Sequence, residues 1–393
     1  MEYITFPEGF TAAGIACGIK KEGPDLAVIL CDRIANAAGI FTNNRVKGHS
    51  LRLSMKNISG GRARLAIVNA GNANACMGSR GDEDALEFAR IAAERFGCAP
   101  EQVLTASTGV IGFPLPLEKI RRGLEAAVPS REGGLDAARA IMTTDTVPKQ
   151  ARAEAVVGGK TVRIGGMAKG SGMIHPDMAT MISVITTDAL ISPAALKSAL
   201  VSAAGKSFNR ISVDGETSVC DCVMILASGM ASDKEITEDS PDFSAFLCAL
   251  TDVCVSLSRK LAADGEGATK LLTIKVNGAK TRKDARLICA AVARSPLCKT
   301  AAFGCDANWG RILTAAGYSG AVFDPEKVDI YIGAVQVCRA GGGLEFDEEA
   351  ALSELKRKEV VYTVELNDGN ESDVMWTCDF SPEYVNINAN YRT

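Results

Sequence analysis

A chain of 393 residues has room for roughly two or three domain units, and an apolar fraction of 47% with 38 glycines describes a folded globule rich in tight turns, not a disordered chain or a small stapled scaffold. Its net charge of −4, with acids and bases interspersed, offers no basic stripe for a phosphate backbone, which argues against nucleic acid as a partner. The opening Met-Glu-Tyr-Ile-Thr-Phe-Pro-Glu lacks a basic segment followed by an apolar one, and no apolar run approaches the ~18 residues of a membrane span, so the expectation is a cytoplasmic protein without membrane contact.

Taken in order, Leu26–Cys31 and Leu65–Asn69 are short β-rich runs bounded by turn residues. Ala85, Phe88, Ala89, Ala92, Ala93 and Phe96 keep helical spacing until Gly97 and Pro100 stop it. Pro116–Val128 and Leu135–Met142 read as further helices. Glu154–Val157 and Thr161–Ile164 flank Gly158-Gly159, a two-residue hairpin signal that leads into a glycine-rich run. Beyond that run, Ser192 is a cap residue with Pro193 at the first helical position, predicting a helix to about Ala204. Asp242–Lys260 gives a longer amphipathic helix, and Val223–Leu226 and Leu271–Val276 are strand candidates. From about Lys283 the pattern restarts with two helices and then strands at Val328–Ile332 and Val360–Leu366, so a softer boundary falls near residue 280. This mixed order fits an α+β fold better than a regular βαβ alternation.

The chemistry has few conventional groups to draw on. Two histidines, His49 and His175, argue against a multi-histidine metal site and weaken any Ser/His/Asp scheme, and no metal site is expected. The thirteen cysteines include no CxxC pair; Cys31, Cys248 and Cys289 lie in apolar segments where a thiol packs as a small hydrophobe. Cys220-Asp221-Cys222 is too short for a metal motif and reads as packed thiols. Gly159-Lys160-Thr161 lacks the glycine that a phosphate loop requires at Glu154, and it already reads as a hairpin.

Thr180 is the most informative candidate. It follows Ala179 after the run that begins Lys169-Gly170-Ser171-Gly172, and it precedes a β-branched stretch. A hydroxyl needs a base within hydrogen-bond reach, and a threonine freed at a new N-terminus carries one in its own α-amine. Gly170 and Gly172 permit unusual backbone angles, Pro176 fixes another, and Ala179 leaves its own carbonyl uncovered for attack by the Thr180 hydroxyl. The same local features fit a buried threonine at a strand start, and taken alone they favour that alternative. In Ser107–Gly112 a hydroxyl and a glycine amide lie side by side, as a developing oxyanion requires; a simple turn before Pro114 is the alternative. Asp264–Lys270 sets Glu266 between glycines, where a carboxylate can hold a substrate ammonium or else decorate a solvated turn. Lys169 is the matching candidate for a substrate carboxylate, or otherwise a surface lysine.

In this order the pieces resemble the ornithine acetyltransferase family, the bifunctional glutamate N-acetyltransferases of arginine biosynthesis. The likeness runs almost end to end, through Gly9–Ile15, Ala38–Thr42, Asn69–Cys76, Ser107–Gly112, Thr143–Thr146, Lys169-Gly170, Met178–Met181, Asp264–Lys270, Asp306–Arg311 and Tyr384–Thr393. The resemblance implies self-cleavage between Ala179 and Thr180. That gives an α chain (1–179) and a β chain whose first part (180–280) shares the core with the α chain and whose remainder (281–393) forms a C-terminal domain. The implied fold is an α+β, self-processing α/β sandwich with a smaller C-terminal α/β domain, assembled as an α2β2 heterotetramer. The implied chemistry is ping-pong acyl transfer, in which Thr180 takes the acetyl group from N2-acetylornithine and passes it to glutamate. Thr108 and Gly109 match the oxyanion donors, and Thr143, Lys169, Thr180, Glu266, Asn388 and Thr393 match substrate-contacting positions. No cofactor is implied, and acetyl-CoA stays open as a second acetyl donor. The competing reading is an N-terminal-threonine amidase or aminopeptidase of related fold that passes the acyl group to water. Asp177, Cys220 and Cys222 depart from the family pattern, which has Asn, Asn and Thr there; Asp177 is close enough to the scissile bond to alter cleavage, whereas the cysteines bear on packing.

Overall fold

The structure, a computed structural model, describes residues 3–175, 181–231 and 233–390. Strands β1 (Phe10–Ile15) and β2 (Leu26–Phe41) open the chain, followed by α1 (His49–Asn57), β3 (Arg62–Asn72), α2 (Ser79–Phe96), β4 (Val103–Val110) and two short helices, α3 (Leu117–Glu125) and α4 (Gly134–Ala140). The hairpin of β5 (Lys149–Val157) and β6 (Lys160–Lys169) comes next, then β7 (Ile182–Thr187), α5 (Pro193–Gly205), β8 (Cys222–Ala227) and α6 (Phe243–Ala263). These strands make one eight-stranded sheet in the order β4-β3-β2-β8-β7-β6-β5, with β1 added on β2. The long β2 changes partners along its length: its first half lies between β1 and β3, and from Asn36 onward it pairs with β8.

Both faces of this sheet are covered, which explains why its central strands read as unbroken apolar runs. In β8, Val223, Ile225 and Ala227 enter the core beneath α5 and α6, while Cys222, Met224 and Leu226 enter the core on the opposite face. The predicted hairpin turns on Gly158 and Gly159 at φ +56° and +79°, the doubly positive turn whose twist matches that of paired strands. Ser192 caps α5 by accepting the Ala195 N–H at 3.3 Å ahead of Pro193, and α2 stops on Gly97 in the left-handed region. One packing expectation is corrected: Cys31 and Cys289 are buried, but Cys248 is exposed. The buried side of α6 is taken by Phe246, Ala249, Leu250, Val253 and Leu257, and Cys248 falls on the other side of the turn.

The second sheet begins with β9 (Leu271–Ala279), ahead of the division at residue 280. After it come α7 (Arg282–Arg294), α8 (Pro296–Gly304), α9 (Trp309–Gly317), β10 (Asp329–Ile332), β11 (Val335–Arg339), the short β12 (Gly342–Gly343), α10 (Glu348–Leu355), β13 (Glu359–Glu365), β14 (Glu371–Cys378) and α11 (Pro382–Asn390). Its order is β12-β11-β10-β13-β9-β14, antiparallel except for the β13–β9 pair. Val360, Tyr362 and Val364 alternate along β13 into a core closed by α7, α8 and α9. Leu271, Trp376 and Cys378 belong to the first core instead, so the second sheet is seated directly on the first. The architecture is thus an α+β sandwich with a smaller C-terminal α/β unit. Among the described residues no helix is long and apolar enough to cross a membrane.

One close approach sets the position of α4 and of the loop that follows it. A Cβ on Gly14 of β1 would lie 2.0 Å from the Asp136 carbonyl oxygen in α4, a backbone atom that cannot swing aside. Gly14→Ala is therefore expected to destabilise the chain by about 1–3 kcal/mol, measured as the shift in urea unfolding.

Candidate active site

Several strand ends and loops converge beside β4. Strands β3 and β4 run parallel, and Gly71 pairs with Gly109 near their ends. Gly109 sits at φ +129°, and a Cβ there would come within 2.4 Å of the Gly71 carbonyl carbon and 2.7 Å of the Asn72 nitrogen. Only glycine lets the two strands close in this way, and it leaves the Thr108 hydroxyl next to the Gly109 amide at a strand end rather than in a free turn.

Lys169 ends β6 and is 3% exposed, which removes the surface-lysine alternative. Its Nζ donates to Thr143 Oγ1 at 2.7 Å and to Thr108 Oγ1 at 3.3 Å. Behind it lies a buried set of charges. Asp145 Oδ2 is 4.0 Å from Lys169 Nζ, Asp145 Oδ1 accepts the Gly170 N–H at 2.7 Å, and Lys149 Nζ stands 2.5 Å from both Asp145 Oδ1 and Asp264 Oδ2. Asp145 Oδ2 also accepts the Thr143 N–H at 3.1 Å, which ties the threonine that holds Lys169 to the same carboxylate. Burial opposes the charge on Asp145, but the Lys169 and Lys149 ammonium groups and the Gly170 N–H outweigh it and hold the carboxyl at about 2. Lys169 is pushed the other way, below the ordinary lysine value: its own burial, with Lys149 adding, exceeds the pull of Asp145 and Asp221.

Glu266 lies in the turn after α6, where its N–H donates to the Ser171 carbonyl at 2.8 Å and its Oε2 accepts the Asn388 side-chain amide at 2.8 Å. A Cβ on Gly172 would stand 2.3 Å from that Oε2, so the glycine makes room for the carboxylate. Thr108, Gly109, Thr143, Lys169, Glu266 and Asn388 all line one cavity of about 170 Å³. A larger, more open hollow of about 560 Å³ lies at Phe6, Glu8, Arg131, Arg152 and Arg163 and includes none of them. Ala179, Thr180 and Thr393 lie outside the described residues.

Two features escaped the sequence reading. Cys222 is packed inside β8, but Cys220, though buried, also forms part of the cavity wall; burial, with Asp221 beside it, pushes its thiol up to about 12, where it is not a nucleophile at neutral pH. The Asp145–Lys149–Asp264 set was also missed, although Asp145 sits inside the Thr143–Thr146 motif. No local signal pairs Lys149 with a carboxylate 115 residues away.

The molecule is a two-sheet α+β sandwich with a small cavity beside β4, in which a few charged and polar groups converge among apolar ones. A family model described as the ArgJ family matches residues 11–393. The arginine biosynthesis bifunctional protein ArgJ of Symbiobacterium thermophilum is 50% identical over 395 residues, spanning 99% of this chain and 98% of that protein. The protein of the same name from Caldanaerobacter subterraneus subsp. tengcongensis is 48% identical over 396 residues, again spanning 99% and 98%. The crystal structure of arginine biosynthesis bifunctional protein argJ from Bacillus halodurans, 41% identical, superposes with a TM-score of 0.51 over 52% of this chain and 97% of that one. The chain belongs to the ArgJ family.

The depressed Asp145 has a consequence for stability. Its folded value of about 2 lies below the ordinary 3.8, so its ionised form stabilises the fold at pH above about 4, and that contribution disappears as pH falls from about 4 through 2. The shift corresponds to about 2 kcal/mol. Urea unfolding of the wild type is expected to weaken across that window, and Asp145→Asn to flatten this part of the profile.

Proposed function

We propose that this chain is a self-cleaving acetyltransferase that moves the acetyl group of N2-acetylornithine to glutamate through an acetyl ester on Thr180. The observation that carries the reading is the cavity, which gathers a buried lysine, a carboxylate, and a hydroxyl beside a glycine amide. Donor and acceptor are both α-amino-acid derivatives, and a paired cation and anion is what such molecules require. Lys169, steadied by Thr143, takes a substrate carboxylate; Glu266, oriented by Asn388, takes the ammonium; Thr393 closes the binding set. Thr108 Oγ1 and the Gly109 N–H donate to the oxyanion as the acetyl carbonyl becomes tetrahedral. Cleavage between Ala179 and Thr180 frees the α-amine, which removes the proton from the Thr180 hydroxyl and returns it to the departing ornithine amine. Glutamate then attacks the ester through its own amine and leaves as N-acetylglutamate.

Nucleophile, base and oxyanion donors are all protein groups, so no cofactor is invoked. The curated relatives are named bifunctional, and this favours acetyl-CoA as a second donor to Thr180, with the thioester handle outside a cavity of amino-acid scale. The two chains from each precursor stay together and pair as α2β2, in the reducing cytoplasm that suits thirteen free cysteines.

An amidase would share the nucleophile but not the acceptor. Incubation with N2-acetylornithine and glutamate is expected to give N-acetylglutamate in step with ornithine; acetate in its place would establish hydrolysis. Acetyl-CoA with glutamate tests the second donor by the same product. Thr180→Ala is expected to run as one intact chain on a denaturing gel and to transfer no acetyl group, whereas identical behaviour to the wild type would leave only a binding protein. Gly109→Ala, which disturbs one oxyanion donor, is expected to lower kcat by about 10²–10³-fold in the transfer assay.

A further inference from the structure

The cavity that holds Lys169 and Glu266 also has a wall of carbon and sulfur, which binding a carboxylate and an ammonium does not require. Ala73, Val219 and Cys220 form it, and Ala73 and Cys220 pack with Ala75 in a small apolar cluster against Val219. Ala73 and Cys220 are only 3% and 6% exposed. Two further apolar side chains on the cavity, Ile111 and Met173, are 40% and 36% exposed, so they lie toward solvent and the Ala73–Cys220 wall lies deep.

This wall is tied to the strand end that carries Thr108 and Gly109, and it is braced from behind. The Ala73 N–H donates to the carbonyl of Val110, the residue after Gly109, at 2.9 Å. Cys220 Sγ donates to the Ala73 carbonyl at 3.5 Å, which joins the two loops and spends the only hydrogen the thiol has to offer. A Cβ on Gly48 would stand 3.1 Å from that sulfur, and the Gly48 N–H donates to the Val219 carbonyl at 2.9 Å. The Thr42 hydroxyl donates to the Ser218 carbonyl at 2.9 Å and the Thr42 N–H to the Asp221 carbonyl at 3.0 Å, so the backbone is fixed on both sides of Cys220. A wall packed in this way does not retreat before an added methylene without strain.

An acyl oxygen that accepts from Thr108 and the Gly109 N–H lies about 2.9 Å from those donors. The acyl carbon is about 1.2 Å from that oxygen, and the first alkyl carbon follows about 1.5 Å further on. The alkyl end therefore comes to rest inside the same cavity of about 170 Å³, close to the strand end to which Ala73 is bonded. An alkyl group gains nothing beside Lys169 or Glu266, whereas apolar contact with the deep wall removes it from water.

We propose that Ala73, Val219 and Cys220 seat the alkyl end of the transferred acyl group and limit that group to acetyl. The proposal rests on the reading of the chain as an acetyltransferase whose oxyanion is held by Thr108 and Gly109. Cys220 stands where the family pattern has Asn, so in this chain the seat carries sulfur in place of an amide with hydrogen-bonding demands of its own.

The test measures kcat/KM for N2-acetylornithine, N2-propionylornithine and N2-butyrylornithine with glutamate as acceptor, reading ornithine release. If the wild type releases no ornithine from the acetyl donor, the acetyltransferase reading fails and this proposal with it. With transfer intact, the wild type is expected to prefer acetyl to propionyl by about 10–200-fold, the discrimination that one methylene brings in an apolar pocket. Equal use of the three donors overturns the proposal and leaves the acetyltransferase reading standing. Cys220→Ala is expected to reduce the preference at least about 10-fold by opening room for one more carbon, and Val219→Ala to do so separately. Because the ratio is taken within each variant, a loss of folded protein lowers both rates alike and cancels. A preference that falls in at least one variant supports the seat, and one unmoved in both overturns it. Should neither variant fold, the wild-type donor series decides alone.

Discussion

The site depends on a buried alternation of charges: Lys169, Asp145, Lys149 and Asp264. A lone ammonium at the depth of Lys169 would shed its proton or drag in water, and a lone carboxylate at Asp145 would be neutral. Set together, each has an opposite partner within 4.0 Å, and the geometry that brings them there joins the loop after α4, the strands β5 and β6, and the turn after α6. The loop after α4, the end of β6 and the turn after α6 each carry a group that faces the cavity: Thr143, Lys169 and Glu266. Breaking the set would leave uncompensated charge in the interior and also release the elements that aim Thr143, Lys169 and Glu266.

Glycines supply the complementary constraint, absence of bulk. Gly109 allows β3 and β4 to close so that a hydroxyl and an amide emerge together, and Gly172 leaves the volume that the Glu266 carboxylate occupies. The charge set pulls segments together, while these glycines determine how close they come. The result is a cavity on the scale of an amino acid, walled among the described residues by strand ends and by the loops that join them.

The C-terminal unit contributes by packing as well as by chemistry. Because Leu271, Trp376 and Cys378 enter the first core, β9 and β14 are locked onto the larger sheet. The chain leaving β14 is thereby led back over the turn after α6, where the Ser381 hydroxyl donates to the Gly267 carbonyl at 2.6 Å, and Asn388 of α11 reaches Glu266. A polar residue of α11 thus meets a residue in the turn after α6, although no residue of α11 is fully buried.

Much of this was legible in the amino-acid order. The apolar runs of β8 and β13, the helical spacing of α2 up to Gly97, the Gly158-Gly159 turn and the Ser192-Pro193 cap are local signals, set by side-chain geometry and backbone preference within a few residues. The ordered motifs also named Thr108, Gly109, Thr143, Lys169, Glu266 and Asn388 as candidates before any coordinates placed them around one cavity. α11 left no periodic trace because it has no buried residue, and Cys248 lay in an apolar segment without facing the core. Nor did any local pattern disclose that Lys169 is buried or that Lys149 would meet Asp264. Those partners are far apart in the chain and carry the same residue types as many exposed groups, so only the packing of two sheets, which removes water from some charges and not from others, decided which of them meet.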